Sequence, residues 1–353
     1  MNLAKQTGAA LLTAMLTVTL VATFAAAALW QQWRSVEIEA AERQRTQLHW
    51  VLNGALDWAR LILQEDGRSN QVDHLSEPWA LPLQEARLSS FLAADKDKAS
   101  SDDDDALEAF LSGQISDQQA LLNVRNLVQD GKPYLPAVQA FARLFERLDL
   151  PLVELRLLVD QLIESDTVNT DGKAEIPPAL PLKPGRWAQL VWLGVSADTL
   201  QALAPYATLL PVPTPLNLNT ASADVLHAAL PEVDLAVAQQ MVAARAKAHF
   251  KSVNDGFKAA GVGQAPKLPP DAKDFSVGSR FFTVRGNLRL EDSAVQETSL
   301  VERNGVIVNV LWRERSVPIA ALTSATPEES ATTTGIDGQT RQPGKTTSAA
   351  SPQ

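Results

Sequence analysis

The densest set of chemistry-bearing side chains lies in the run "LIESDTVNTDGKAE", where Glu164, Asp166, Asn169, Asp171 and Glu175 are spaced around Gly172. Calcium takes about six to eight hard oxygens, often from carboxylates strung along a loop that turns at a glycine. These five residues can supply several of them. A solvated polar loop with no ion accounts for the same composition, and both readings stand at this point.

Other chemistry finds little footing. The chain has no cysteine, which removes disulfides, thiolate metal sites and cysteine nucleophiles. His49, His74, His227 and His249 are scattered and read as surface or packing residues. There is no G-x-S-x-G, P-loop or H-E-x-x-H, and Gly261-Val262-Gly263 lacks the third glycine of a dinucleotide fingerprint. Trp187 and Trp192 are not spaced to share one helix face as a sugar platform. The sequence therefore predicts no catalytic residues, no enzyme and no required cofactor.

The elements that must carry these residues begin with a long apolar helix. Between Lys5 and Arg34 no side chain is charged, and Gly8 to Trp33 is long enough to cross a hydrocarbon core of roughly 30 Å. A cleaved secretory signal has an apolar region of only about 7 to 15 residues, although Ala25 to Ala28 would offer a cleavage site. Lys5 orients the run with residues 1–8 in the cytoplasm and the bulk outside. Helix formers continue past it, with Leu48, Leu52, Ala55, Leu56, Ala59 and Leu63 at helical spacing, so one helix is expected from Ala9 to Glu65, with Gly54 as a place to bend.

Beyond that, residues 95–105 are an acidic, solvated run. Ser112-Gly113 reads as a turn before strand-like alternation at Ala120, Leu122, Val124 and Asn126. Residues 134–165 return to helical periodicity, with Val138, Phe141, Leu144, Phe145 and Leu148 on one face and a second helix from Pro151 through Leu162. Another helix is expected near 186–203, and a helix pair over 219–260, capped by Asn219 or Thr220 and by Asp234. "RFFTVRGNL" and "SLVERNGVIVNVLWRER" alternate as strands, with Asn304-Gly305 as a type I′ hairpin signal. From Val317 to Gln353 the chain is Ser, Thr, Ala, Pro and Gly rich and reads as a disordered tail. At 353 residues, two packed domains are expected. Helix, strands, helical block, strands is the order of an α+β domain whose strands pair across a helical insertion.

Three segments carry a resemblance. "MNLAKQTG" is a short leader ending in glycine directly before "AALLTAMLTVTLVA"; "GQISDQQALLNVRNL" at 113–127 approaches a recurrent G-x-I-x-D-x-x-x-x-x-N-x-N-x-L, with Arg125-Asn126 replacing part of it; "LNLNTASADVLHAAL" fills 216–230. In that order the chain resembles the minor pseudopilin K family of type II secretion systems over most of its length up to the tail.

The resemblance implies a pilin-like fold, a long N-terminal helix plus antiparallel sheet, interrupted by a large α-helical insertion. It divides the chain into a prepilin leader 1–8, transmembrane helix 9–33, first pilin-like part 34–133, inserted domain 134–274, second pilin-like part 275–316 and tail 317–353. It implies that prepilin peptidase cuts between Gly8 and Ala9 and methylates Ala9, so the apolar helix is kept in the inner membrane with the bulk in the periplasm. The implied partners are minor pseudopilins I, J and H, the major pseudopilin and the inner-membrane assembly platform, with a role capping the pseudopilus tip for export of folded proteins.

Most pilins carry glutamate at the fifth mature position, which here is Thr13. The family shares this absence, as a tip subunit has no neighbour above whose terminal amine could pair with that charge; a plain membrane helix in which threonine bonds its own backbone is the alternative. The family also carries an aspartate-rich segment at 161–176 to which calcium is attributed, though Gln161-Leu162 and Ile176 depart from its pattern.

The rival reading is a membrane-anchored DNA-uptake or DNA-binding protein, because residues 216–263 are also similar to helix-hairpin-helix modules. Those offer glycine-rich amides to a phosphate. Here Glu232 and Asp234 occupy the first hairpin, Pro266, Pro269 and Pro270 follow the second, and the formal charge of the whole chain is -10, so no nucleic-acid partner is expected.

Overall fold

A computed structural model describes residues 7–69, 71–88, 109–167, 181–231, 233–261, 272–290 and 293–316. The start of the leader, the acidic run 95–105 and the tail from Val317 lie outside the described residues.

Helix α1 (Thr7–Ser69) runs 63 residues without a break, so the helix expected over 9–65 is extended at both ends and Gly54 does not interrupt it. Its first half has no buried partner, and it is long and apolar enough to cross a membrane. Within that half the hydroxyls of Thr13, Thr17, Thr19 and Thr23 donate to carbonyls three residues back at 2.8–2.9 Å, satisfying themselves where no water would be at hand. The second half buries Leu48, Leu52, Leu56, Ala59 and Leu63, a three-and-four spacing that sets one stripe against the sheet.

That sheet has five strands in the order β1 (Leu83–Arg87), β2 (Ala109–Asp117), β9 (Phe281–Leu290), β10 (Ser293–Asn304) and β11 (Ile307–Ser316). Every pairing is antiparallel, and the central pair β2–β9 joins strands from either side of the helical segment. Ser112-Gly113 lies inside β2, not in a turn. Gly113 faces Gly286 across the ladder, and a Cβ on Gly286 would stand 3.3 Å from Leu52, so Gly286 makes room for α1.

The β10–β11 hairpin turns one residue later than the sequence suggested. Asn304 pairs with Ile307, which leaves Gly305-Val306 as the loop, and only Gly305 has positive φ, the pattern of a type II′ turn instead of I′. The open edge β11 is partly closed by Arg60 of α1, whose guanidinium donates twice to the Val308 carbonyl at 2.8 and 3.1 Å.

Between β2 and β9 the chain is mostly helical. The alternation read at 120–126 is instead two 3-10 turns, Gln118–Ala120 and Val124–Leu127, around a short strand β3 (Leu122–Asn123). Asp117 and Asn123 cap these turns with their side chains, and local capping defeats the strand pattern. A small hairpin, β4 (Val128–Gln129) and β5 (Lys132–Pro133), leads to α2 (Leu135–Arg147) and α3 (Leu152–Thr167), the latter running past Leu162.

The single helix expected over 186–203 is a 3-10 segment Trp187–Leu193 and α4 (Ala197–Leu203), separated at Gly194. Short parallel ladders join β3 to β6 (Ala207–Thr208) and β7 (Leu216–Asn217) to β8 (Phe275–Ser276). Three helices, not two, fill 219–260: α5 (Ala223–Ala229), α6 (Leu235–Lys247) and α7 (Val253–Ala259). Ser222 caps α5 in place of Asn219 or Thr220, whereas Asp234 caps α6 as expected.

Phe141, Leu144, Phe145, Leu158, Leu162, Leu193, Leu226, Met241 and Phe257 belong to one continuous core of this segment. Under α1 the apolar contacts fall into two smaller clusters, around Leu63–Phe282–Val301 and around Leu52–Leu111–Leu288.

Candidate functional site

The motif residues converge where the end of α1, the sheet and the helical segment meet. Asp117, at the end of β2, is the hub. Its carboxylate accepts from the Gln119 amide at 2.7 Å, Thr220 Oγ1 at 2.6 Å, Ser279 Oγ at 2.6 Å and Asn217 Nδ2 at 3.2 Å. Burial nevertheless outweighs these donors and pushes its pKa up to about 6.

Beside it, Arg303 Nη2 donates to both oxygens of Asp73 at 2.6 and 2.7 Å and to the Ser279 carbonyl at 2.9 Å, while Nη1 pairs with Asp66. The Ser279 amide donates to Asp73 at 2.6 Å. One guanidinium thus answers two buried carboxylates. Burial and the nearby charge of Glu77 raise Asp66 to about 7. Glu77 in turn accepts from the Trp79 indole at 2.7 Å and from the His74 amide at 2.9 Å, and the His74 ring stacks on His249 at 4.0 Å. Asp66, Asp73 and Glu77 lie close enough together to hold a cation, and the Arg303 guanidinium already meets two of them.

The "LNLN" residues continue this network into the helical segment. Asn217 donates to Ser279 Oγ at 2.9 Å, and Asn219 clamps Phe250 by its amide at 2.8 Å and its carbonyl at 2.9 Å. Asn123 and Asn126 hold the 210–214 segment the same way: Asn123 binds Leu210, Val212 and Thr214, and Asn126 exchanges two bonds with the Thr214 backbone at 2.7 and 2.9 Å. These are architectural contacts. The junction's carboxylates are engaged by hydrogen bonds and a guanidinium.

The other sequence-derived sites fare differently. Thr13 bonds the Ala10 carbonyl at 2.9 Å, and Gly8 and Ala9 lie in the first turns of α1. Of the calcium candidates, Asn169, Asp171 and Glu175 lie outside the described residues. Glu164 and Asp166 are two apart on α3 and so face nearly opposite sides. Glu164 accepts from Gln161 at 3.0 Å, while Asp166 is engaged by Lys183 at 2.8 Å and by the buried Arg125 at 3.5 Å.

In the helix-hairpin-helix-like block, the Asp234 carboxylate accepts from the Val237 amide at 2.7 Å, so the α6 N-terminus spends a donor a phosphate would need. Arg245 is buried and donates to the Leu218 carbonyl at 2.6 Å, and burial lowers its pKa to about 10.

Sequence reasoning missed Arg303, Asp73 and Asp66. A signal was present for the first: along β10, Glu297 and Arg303 share the inward phase of Val301, and a charged residue at an inward strand position asks for a buried partner. Asp66 and Asp73 flank the end of α1 and show nothing in sequence that separates them from surface carboxylates.

Comparison with known proteins places these observations. The family described as "Type II secretion system (T2SS), protein K" matches residues 216–278, and a second match under the same description covers 120–212. The chain is 28% identical over 340 residues to the type II secretion system protein K of Pseudomonas aeruginosa PAO1, covering 90% of this chain and 92% of that protein. It is 26% identical to the protein K of Pectobacterium carotovorum subsp. carotovorum, covering 88% and 96%. Its fold is similar to a chain of the GspK-GspI-GspJ complex crystal structure from enterotoxigenic Escherichia coli, with TM-score 0.59, 20% identity, and 78% and 98% coverage. The matched segments hold Asn123, Asn126, Asn217 and Asn219, the residues that clamp the helical segment and tie it to the sheet, and through them the chain is similar to the family described as type II secretion system protein K.

Proposed function

We propose that the chain is the minor pseudopilin at the tip of the pseudopilus, assembled with minor pseudopilins I and J, and that it works by assembly and steric capping instead of catalysis. The observation that carries this reading is the layout of the fold. One unbroken helix leaves an exposed apolar half and docks its other half on a sheet, and a bulky helical segment is inserted between the two central strands. Such bulk cannot repeat along a thin filament but fits its end. The solved relative with this fold sits in a complex with GspI and GspJ, which supports the choice of partners.

On this reading prepilin peptidase cuts after Gly8 and methylates Ala9, the helix is anchored in the inner membrane, and the sheet and insertion face the periplasm. Partner H, the major pseudopilin and the assembly platform act on the same particle. Co-expression of the full chain with its cognate minor pseudopilins I and J, followed by detergent purification, is expected to yield a stable ternary complex. A chain that purifies alone at matched expression contradicts it. Calcium stands apart from this reading and rests on Glu164, Asp166, Asn169, Asp171 and Glu175 alone; millimolar calcium that releases no heat and leaves the melting temperature unmoved removes it.

A further inference from the structure

In the inserted segment, α2 forms one wall of a cavity of about 650 Å³ whose facing wall is made by β7, β8 and the turn after α5. That volume lies in the range of ligand pockets, about 300 to 1,000 Å³. Leu122, Phe141, Leu216 and Phe275 make the lining mainly apolar. On the α2 side stand Ala137 and Ala140, whose small side chains leave a groove along the helix.

The charged groups stand at the two ends of this groove. Tyr134 precedes α2; its hydroxyl donates to Asp274 at 2.7 and 3.0 Å, and Lys273 Nζ lies 5.4 Å from the centre of its ring, so a cation and a carboxylate share that end. Nine residues further along, about 13 Å at 1.5 Å per residue, is Arg143. Its Nε and Nη2 donate to the Ala228 and Ala229 carbonyls at 2.7 and 3.4 Å, which caps the end of α5. Capping answers its donors and leaves its charge: among the described residues no carboxylate forms an ion pair with Arg143, and burial lowers its pKa, with the charge of Glu146 opposing. In a chain of formal charge -10, a half-buried guanidinium without a carboxylate, at the end of an apolar groove, is complementary to an anion carried on an apolar body.

We propose that this groove docks an extended peptide segment of a protein partner, about four residues long at roughly 3.3 Å each, apolar through its middle and bearing a carboxylate at the Arg143 end. The inference goes beyond the tip-complex reading and does not depend on it. Panning the full chain in detergent against a random heptapeptide display library is expected to enrich sequences with an acidic residue at one end of an apolar run. The enriched peptide, synthesised and labelled, is expected to lose at least tenfold in affinity when its acid is replaced by the amide. Ala137→Leu, which narrows the groove from the half-exposed side of α2, is expected to weaken binding as much while the melting temperature does not fall. Against Arg143→Gln the acid and amide peptides are expected to bind alike, a loss of discrimination that a merely structural role for Arg143 would not produce.

Four results overturn the docking: no enrichment from the library, enriched peptides that lack an acid, wild-type affinity in Ala137→Leu, or decanoate bound at the groove where no peptide is. Should Arg143→Gln lose its melting transition with the cap of α5, the acid-to-amide comparison and Ala137→Leu decide. Recovery of minor pseudopilins I and J is unaffected by any of these outcomes, which keeps a failure here distinct from a failure of the tip-complex reading.

Discussion

Under α1 the sheet is held by two small apolar clusters and a polar junction, whereas the inserted segment has one continuous core from Leu122 to Phe275. The two regions also differ in how far apart their partners lie. Arg303 reaches Asp73 across 230 positions and Arg60 reaches Val308 across 248, so the pilin-like part closes only after the chain returns from the insertion. Its central strand β9 comes from that return. The insertion, by contrast, buries its own helices against one another. The scaffold depends on the insertion's exit for completion, while the insertion meets the scaffold through the Asp117, Asn217 and Ser279 bonds, an apolar contact of Leu210 with Phe281 and Leu300, and Arg186 stacked on Trp312.

The largest effect should come from removing the shared cation. Arg303→Leu leaves Asp66 and Asp73 buried without their guanidinium and is expected to cost about 3 to 5 kcal/mol, read as a lower melting temperature of the sheet-containing transition in calorimetry. Leu144→Ala opens a cavity in the insertion core and is expected to cost about 2 to 5 kcal/mol. It should lower protection of amides in α2 and α5 in hydrogen exchange while those of β9 and β10 hold. Equal loss in both regions would show that they are one cooperative unit and would erase the contrast. Asn219→Ala, which unclamps Phe250, is expected to cost about 1 to 3 kcal/mol by leaving buried backbone groups unpaired.

A subtler effect is a pH dependence located at the junction. Asp117 and Asp66 have folded pKa values raised to about 6 and about 7 from 3.8, so between those limits the folded chain binds more protons than the unfolded. Their stabilising contribution is present below about pH 4 and is lost as pH rises through 6 to 7. The melting temperature should therefore fall from pH 5 to pH 7.5 for these two groups, and Asp66→Asn should flatten that slope. His249, lowered first by burial and then by the charge of His74, works in the opposite sense toward acid.

Sequence periodicity captured the long helix, the strands after the insertion and the α2 face, because each repeats one spacing over many residues, but β1 and β2 went unread and Ser112-Gly113 inside β2 looked like a turn. It failed where a few side chains override the repeat. At 118–127 the caps from Asp117 and Asn123 wind the chain into 3-10 turns, although every other residue looked like a strand. Asn304-Gly305 suggested a type I′ turn, but the turn with two positive φ values is Asp130-Gly131, at 52° and 70°, between strands too short to alternate. At the junction, Asp117 and Asn217 were visible as members of motifs, yet their shared partner Ser279 and the ion pairs of Arg303 with Asp66 and Asp73 depend on chain segments more than 60 positions away. No local pattern encodes that.

The central claim is that this chain is a processed pseudopilin whose apolar helix is kept as its stalk. Mass spectrometry of the mature amino terminus tests it most directly. The account predicts a chain beginning at an N-methylated Ala9, with Thr13 as its fifth residue; a start after Ala25 to Ala28, or an intact Met1, would contradict it.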